Sequence, residues 1–278
     1  DMNSHKARKA LTELKLAAGQ GSETKPLVNA ILEADVHDAV GLYLKGRIAL
    51  AENAVLQAVG LFQEAIGRDA TLAGPHLYLG LIRSAQGQVD SAQKELREAI
   101  RLSPDNETAH LALANVYLRQ QKPAEAEKEA WQAVRLNPAN LEAAVLYGDA
   151  LVAGQNWAKA EEVYGAIIRQ LPRQPIGYVK MAALHKRQAR PTEAAQFFSQ
   201  ALTQAPSNLA IFQEYLVALI ESKQAHKADS ILEESLAKSS RDPNLWRLAG
   251  RVYLSQRKTD QAEHAFRNAV DLAPDLAL

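Results

Sequence analysis

Apolar residues recur along this chain at helical spacing from end to end, and no segment sustains the period-two alternation of a half-buried strand. Glycine and proline are few, and they fall at regular breaks between the periodic stretches. The pattern predicts a succession of amphipathic helices of roughly a dozen residues, joined by short turns. In the stretch 107–140, Thr108 to Arg119 reads as one helix and Ala124 to Leu136 as the next. The stretch DPNLWRLAGRVY at 242–253 shows the pattern in its most complete form, with Trp246, Ala249, Gly250 and Tyr253 at helical intervals.

That arrangement is repeated every 34 residues. Stepping back from Gly250 gives Leu216, Ala182, Gly148, Ala114, Gly80 and Gly46, all small except Leu216. Twelve residues on, every unit carries alanine: Ala58, Ala92, Ala126, Ala160, Ala194, Ala228 and Ala262. A mostly large series reads Phe62, Leu96, Ala130, Tyr164, Phe198, Leu232 and Phe266, and a further small one Ala65, Ala99, Ala133, Ile167, Ala201, Ser235 and Ala269. Proline closes most units, at Pro104, Pro138, Pro172, Pro206 and Pro274, with Ala70 and Ser240 as exceptions. Small residues at the eighth and twentieth positions let two helices approach closely, and large ones at the fourth, eleventh and twenty-fourth fill the space around the contact. A proline after the second helix ends it, having no N–H to donate. Asn106, Asn140, Gln174, Asn208 and Asp242 precede the first helices, and all but the glutamine are good N-caps. Pro175 and Pro243 follow at the first helical position, where proline is welcome.

The phased small, aromatic and proline positions resemble the tetratricopeptide repeat (TPR), best in Pro243–Pro274 with Trp246, Gly250, Tyr253, Ala262, Phe266, Ala269 and Pro274. The resemblance implies an all-α TPR α-solenoid, a right-handed superhelix of antiparallel helix pairs. The expected organisation is a single array over 1–278, with repeats at 4–38 (divergent), 39–72, 73–106, 107–140, 141–174, 175–208, 209–242 (degenerate) and 243–276. In the divergent repeat, Lys6 to Ala18 reads as the first helix and Glu23 to Ala34 as the second, with Gly19 and Gly21 in the turn. In the degenerate one, Leu216 replaces a small residue and Ser240 a proline. A local change in helix spacing and a degeneration without consequence are both compatible with that.

Composition narrows the function. Lysine plus arginine number 32, as do aspartate plus glutamate, so the formal net charge is zero and nucleic acid is a poor first candidate. There is no cysteine, which excludes disulfides, thiolate metal sites and cysteine nucleophiles. No apolar run is long enough to span a bilayer, so no membrane insertion is expected, and no signal peptide is visible. A soluble protein of cytoplasm or periplasm fits. The chain starts at Asp1 rather than methionine, as a processed chain or an excised fragment would.

Catalytic and cofactor motifs are missing. His5, His37, His76, His110, His185, His226 and His264 are scattered, with no HExxH and no ligand-spaced pair. His76 and His110 occupy the fourth position and His185 the eleventh, where packing aromatics are expected. GQGSE at 19–23 reads as a turn between helices rather than a phosphate loop, and Glu161–Glu162 and Glu233–Glu234 as solvated faces. The basic runs HKRQAR at 185–190 and Lys6, Arg8 and Lys9 read as solvated helix segments, the first of them a helix end whose cations favour the C-terminal dipole. No enzyme activity and no cofactor are expected.

What remains is a surface. In the family that the repeats resemble, first helices line a concave face that binds an extended peptide or a partner's helix. The fifth-position row is Tyr43, Leu77, Leu111, Val145, Val179, Gln213 and Arg247. The ninth is Arg47, Leu81, Asn115, Asp149, Ala183, Val217 and Arg251, and the twelfth Leu50, Ser84, Leu118, Val152, Lys186, Ile220 and Leu254. The candidate binding residues are Tyr43, Arg47, Leu77, Leu81, Leu111, Asn115, Leu118, Val145, Asp149, Val179, Lys186, Gln213, Arg247 and Arg251. Two readings stand: a groove for an apolar or amphipathic protein segment with arginines near its acidic flanks, or a core buried between neighbouring first helices. The fifth-position lysine of the chaperone carboxylate clamp is absent, which excludes that partner class. The expected function is a non-catalytic protein-interaction scaffold, loosely similar to bacterial arrays of secretion, envelope assembly and exopolysaccharide export. The alternative is a self-assembling or spacer module, through an end face bordered by Phe266 and Ala269 or as part of a longer protein.

Overall fold

The computed structural model describes residues 2–17 and 21–273, which form sixteen α-helices and no strand. In chain order they are α1 (Met2–Ala17), α2 (Gly21–Ala34), α3 (Ala39–Ala51), α4 (Val55–Arg68), α5 (Ala73–Ala85), α6 (Val89–Leu102), α7 (Glu107–Arg119) and α8 (Pro123–Leu136). There follow α9 (Leu141–Ala153), α10 (Trp157–Gln170), α11 (Pro175–Arg187), α12 (Pro191–Gln204), α13 (Leu209–Glu221), α14 (Ala225–Lys238), α15 (Pro243–Ser255) and α16 (Thr259–Leu272). The chain divides into two compact units, 1–154 and 155–278, the boundary falling between α9 and α10. Gly21, expected in a turn, opens α2; Ala18, Gly19 and Pro274 lie outside the described residues.

Within each unit first helices pack on their own second helices, as α5 on α6 or α15 on α16, and second helices pack on the next first helix, as α8 on α9 or α12 on α13. First helices also touch one another, α5 with α7, α7 with α9 and α13 with α15, so they form a layer of their own. The all-alanine series is what permits this closeness. All seven of its members are at most 1% exposed. The eighth position is tighter still. A Cβ on Gly46 would stand 2.6 Å from Phe62 Cε1, one on Gly80 2.6 Å from Leu96 Cγ, and one on Gly250 2.5 Å from Phe266 Cε1. Glycine at position eight therefore makes room for a large residue at position twenty-four. Ala114 is matched by Ala130 in the repeat 107–140, both fully buried.

Helix ends follow from local chemistry. Asp38, Asn106, Asn140, Asn208 and Asp242 each accept a backbone N–H of the first turn, while Gln174 makes no such bond. In three repeats the fourth-position side chain ties the unit to the carbonyl closing the one before. Trp246 Nε1 donates to Ser240 O at 2.8 Å, His110 Nε2 lies 3.0 Å from Pro104 O, and Tyr178 Oη donates to Pro172 O at 3.2 Å. The turns between paired helices share one conformation that the sequence does not advertise. Asn53, Gly87, Gln121, Gln155, Ala189, Lys223 and Arg257 all have φ between 57° and 77°, the left-handed region, yet only one is glycine. Ala189 shows the reason: its N–H reaches Lys186 O at 3.0 Å and that of Arg190 reaches His185 O at 2.9 Å, satisfying carbonyls that the helix end would leave bare.

Candidate interaction surfaces

In unit 1 the fifth, ninth and twelfth positions of α3, α5, α7 and α9 lie at different depths. Leu77 and Leu111 are only 8% and 9% exposed and belong to the core, so the core reading holds for these two. Leu81, Leu118 and Val145 are half-buried, presenting part of their apolar surface, and Asn115 is exposed. Tyr43 and Arg47 form an aromatic–cationic cluster at α3. The Arg47 guanidinium lies 5.8 Å from the Tyr43 ring centre and 5.4 Å from that of Tyr78, and Phe62 stacks on Tyr78 at 5.5 Å. Burial pushes the Tyr43 phenol up to about 12 despite the neighbouring arginine, so this side chain stays neutral at any physiological pH. Asn115 Nδ2 donates to Leu111 O of its own helix at 3.2 Å, and Asp149 is half-buried.

In unit 2, Val179, Lys186 and Gln213 are half-buried, and Arg247 and Arg251 are exposed. Lys186 is engaged by Glu214 on α13 at 2.7 Å, and Arg247 donates to Asn244 Oδ1 at 3.1 Å. Leu254, at the twelfth position, is 51% exposed beside them. The structure thus gives each unit a first-helix face of partly open apolar residues with arginine at its edge.

Three of the histidines sit in packed settings with structural partners. His110 faces acceptors with both ring nitrogens, Glu129 Oε2 at 2.6 Å and the Pro104 carbonyl, and the glutamate bond holds its pKa above the usual histidine value. His76 Nδ1 meets Glu95 Oε2 at 2.7 Å in the same register one repeat earlier. His185 is buried against the Phe197 ring at 5.3 Å, and desolvation pushes its pKa down. Among the described residues no three histidine, aspartate or glutamate side chains gather as metal ligands would, and no helix is long and apolar enough to cross a membrane. Lys9, from the basic run in α1, is paired with Asp38.

One surface escaped sequence reasoning. An open cleft of about 570 Å³ lies between α14 and α16, floored by Trp246 and Tyr253 of α15. Its sequence signals are the two departures of the repeat 209–242, Leu216 in α13 and Ser240, which lines the cleft itself. Leu216 and Leu232 of α14 are both fully buried, and α14 packs less extensively on α13 and α15 than its counterparts do elsewhere in unit 2.

Sequence models of one family match three stretches: a TPR repeat model residues 80–121, and tetratricopeptide repeat models residues 111–175 and 165–270. The chain belongs to the tetratricopeptide repeat family. Solved TPR structures share its fold. A tetratricopeptide repeat protein from Parabacteroides merdae aligns with TM-score 0.65 at 18% identity, over 85% of this chain and 93% of its own. PilF from Pseudomonas aeruginosa aligns with TM-score 0.62 at 21% identity, over 79% and 98%. YrrB, described as a TPR protein with an unusual peptide-binding site, aligns with TM-score 0.60 at 17% identity, over 66% and 95%. No curated protein sequence matches this TPR chain. TPR repeats are in general protein–protein interaction modules.

Proposed function

We propose that this TPR protein is a non-catalytic scaffold that holds a peptide or helical segment of a protein partner against its first-helix face. The observation that carries the reading is the graded depth of that face. Leu77 and Leu111 are consumed by the core, whereas Leu81 and Leu118 in the same helices, and Val145 in α9, keep apolar surface available for a partner. Scattered exposed leucines are ordinary, whereas a partly open apolar residue on each of three successive first helices, α5, α7 and α9, gives a partner several anchor points. Within unit 2, Arg247 and Arg251 share α15 with the exposed Leu254 and suit acidic residues flanking an apolar anchor there. The test is a cross-linking pull-down from native lysate with wild type and a Leu81→Asp/Leu118→Asp variant. Partners captured by wild type and lost by the variant, with helicity unchanged by circular dichroism, support the reading. An identical set of partners from both defeats it.

Self-association is the second reading, favoured by one observation. A cavity of about 250 Å³ on the α15–α16 face is lined by Arg247, Phe266, Ala269 and Val270, and Val270 is 45% exposed. Sedimentation velocity of wild type and Val270→Asp distinguishes it: a concentration-dependent dimer abolished by the substitution supports it, and a wild type monomeric throughout removes it.

A further inference from the structure

We propose that the cleft between α14 and α16 is a second docking site, for a basic amphipathic peptide segment of a protein partner. It is distinct from the face just described. At about 100° per residue, Arg251 lies about 140° round α15 from Trp246, whereas Tyr253 lies almost beneath Trp246.

Three observations fix the chemistry of the occupant. The first is the cleft's rigidity and apolar floor. Trp246 is anchored through Nε1 to the Ser240 carbonyl at 2.8 Å and packs edge-on to His264, with ring centres 5.8 Å apart. Tyr253 is buried beneath, its phenol pKa raised by desolvation, and Leu236 completes the apolar surface. A preformed aromatic floor binds without the entropy cost of ordering itself. The second is charge. Glu233 on α14 and Asp260 in the first turn of α16 stand on opposite walls, and both are exposed. Among the described residues lining the cleft there is no lysine or arginine; Lys258, whose ammonium lies 5.9 Å from the Tyr253 ring centre, is held by Asp229, Lys238 by Glu234 and Arg267 by Glu263. The cleft therefore offers two carboxylates over an indole face, a setting that favours lysine or arginine on an otherwise apolar segment. The third is size. About 570 Å³, open to solvent, suits a few side chains of a helix or extended segment rather than a folded domain. The cleft accompanies the sparser packing of α14 on α13 and α15, in the repeat that carries leucine rather than glycine or alanine at its eighth position.

The experiment uses the full chain and two fluorescein-labelled synthetic helical peptides of about 14 residues, one built from Lys, Leu and Ala and its counterpart with Glu for every Lys. Fluorescence anisotropy is read at low and moderate salt. The Lys peptide is expected to bind at least about tenfold more tightly than the Glu peptide, with affinity falling as salt rises. Glu233→Lys/Asp260→Lys, two exposed positions whose exchange should leave helicity intact, is expected to weaken that binding about tenfold or more. Arg247→Glu/Arg251→Glu, on the other face, is expected to leave it within about twofold or to strengthen it. Equal binding of both peptides, or a Glu233→Lys/Asp260→Lys variant that is folded and binds the Lys peptide as wild type does, overturns the proposal. Loss of binding in Leu81→Asp/Leu118→Asp with full binding in the Glu233→Lys/Asp260→Lys variant places the peptide on the first-helix face instead and likewise overturns it.

Discussion

Gly46→Ala should be harmful in the native background and helpful when Phe62 is truncated. Inside a helix, alanine is favoured over glycine by about 1 kcal/mol. Against that stands the geometry of α3 on α4. The new methyl would sit 2.6 Å from Phe62 Cε1 and 2.8 Å from Cδ1, far inside van der Waals contact. The ring has nowhere to retreat: Phe62 is fully buried, stacked on Tyr78 at 5.5 Å and tilted against Tyr43 at 6.2 Å. Overpacking of this kind costs about 1–3 kcal/mol, so the net effect of the single substitution is a loss of up to about 2 kcal/mol. Phe62→Ala alone opens a cavity and should cost about 3–5 kcal/mol. In the double variant the pair becomes Ala–Ala, the combination that Ala114 and Ala130 already use, and the added methyl then recovers its helix propensity. The coupling between the two sites should therefore be about 1–3 kcal/mol, well above the scatter of independent sites. Urea denaturation of the four proteins, followed by circular dichroism at 222 nm, measures it. Additivity within about 0.5 kcal/mol would refute the claim that position eight is small because position twenty-four is large.

Three further outcomes follow from particular residues. Ala189, at φ 57°, should tolerate glycine with a gain of about 0.5–1 kcal/mol, whereas Gly87→Ala, at φ 77°, should lose about 1 kcal/mol; urea midpoints check both signs. Asn208 accepts the N–H groups of Ala210 and Ile211, each at 3.1 Å, so Asn208→Ala should cost about 1 kcal/mol, while Gln174→Ala, at an uncapped helix, should fall within about 0.5 kcal/mol. His110 has a folded-state pKa raised by Glu129, so its stabilisation is fully present below the unfolded value of about 6.5 and is lost as pH rises through the folded one. The stability difference between wild type and His110→Gln should thus be larger at pH 5.5 than at pH 8. Wild type alone is no guide, because His185, with its lowered pKa, contributes the opposite slope.

Features that depend on one repeat's internal geometry were legible in the sequence, because each residue type there answers a constraint that recurs. Alanine at the twentieth position and asparagine or aspartate before the first helices could be read directly, and the structure buries the first and hydrogen-bonds the second. The left-handed turn residue was illegible because the carbonyls it leaves satisfied are backbone atoms. Asn, Gly, Gln, Ala, Lys and Arg all serve, each bearing its own strain, and no side-chain signature survives. The first-helix face proposed for binding was legible in phase but not in depth. Leu77 and Leu81 are one helical turn apart on α5, yet one is core and the other half-open, since depth is set by how closely the neighbouring first helices approach. The cleft lies furthest from sequence reach. Leu216 and Ser240 announce that the repeat 209–242 differs, but the floor of the cleft is Trp246 and Tyr253 of the next repeat, residues whose types signal only packing. In a stack where each repeat covers the next, a departure from the repeat pattern is expressed at the seam, and Glu233, Leu236 and Ser240 of the departing unit line the cleft together with Trp246 and Tyr253 of its neighbour.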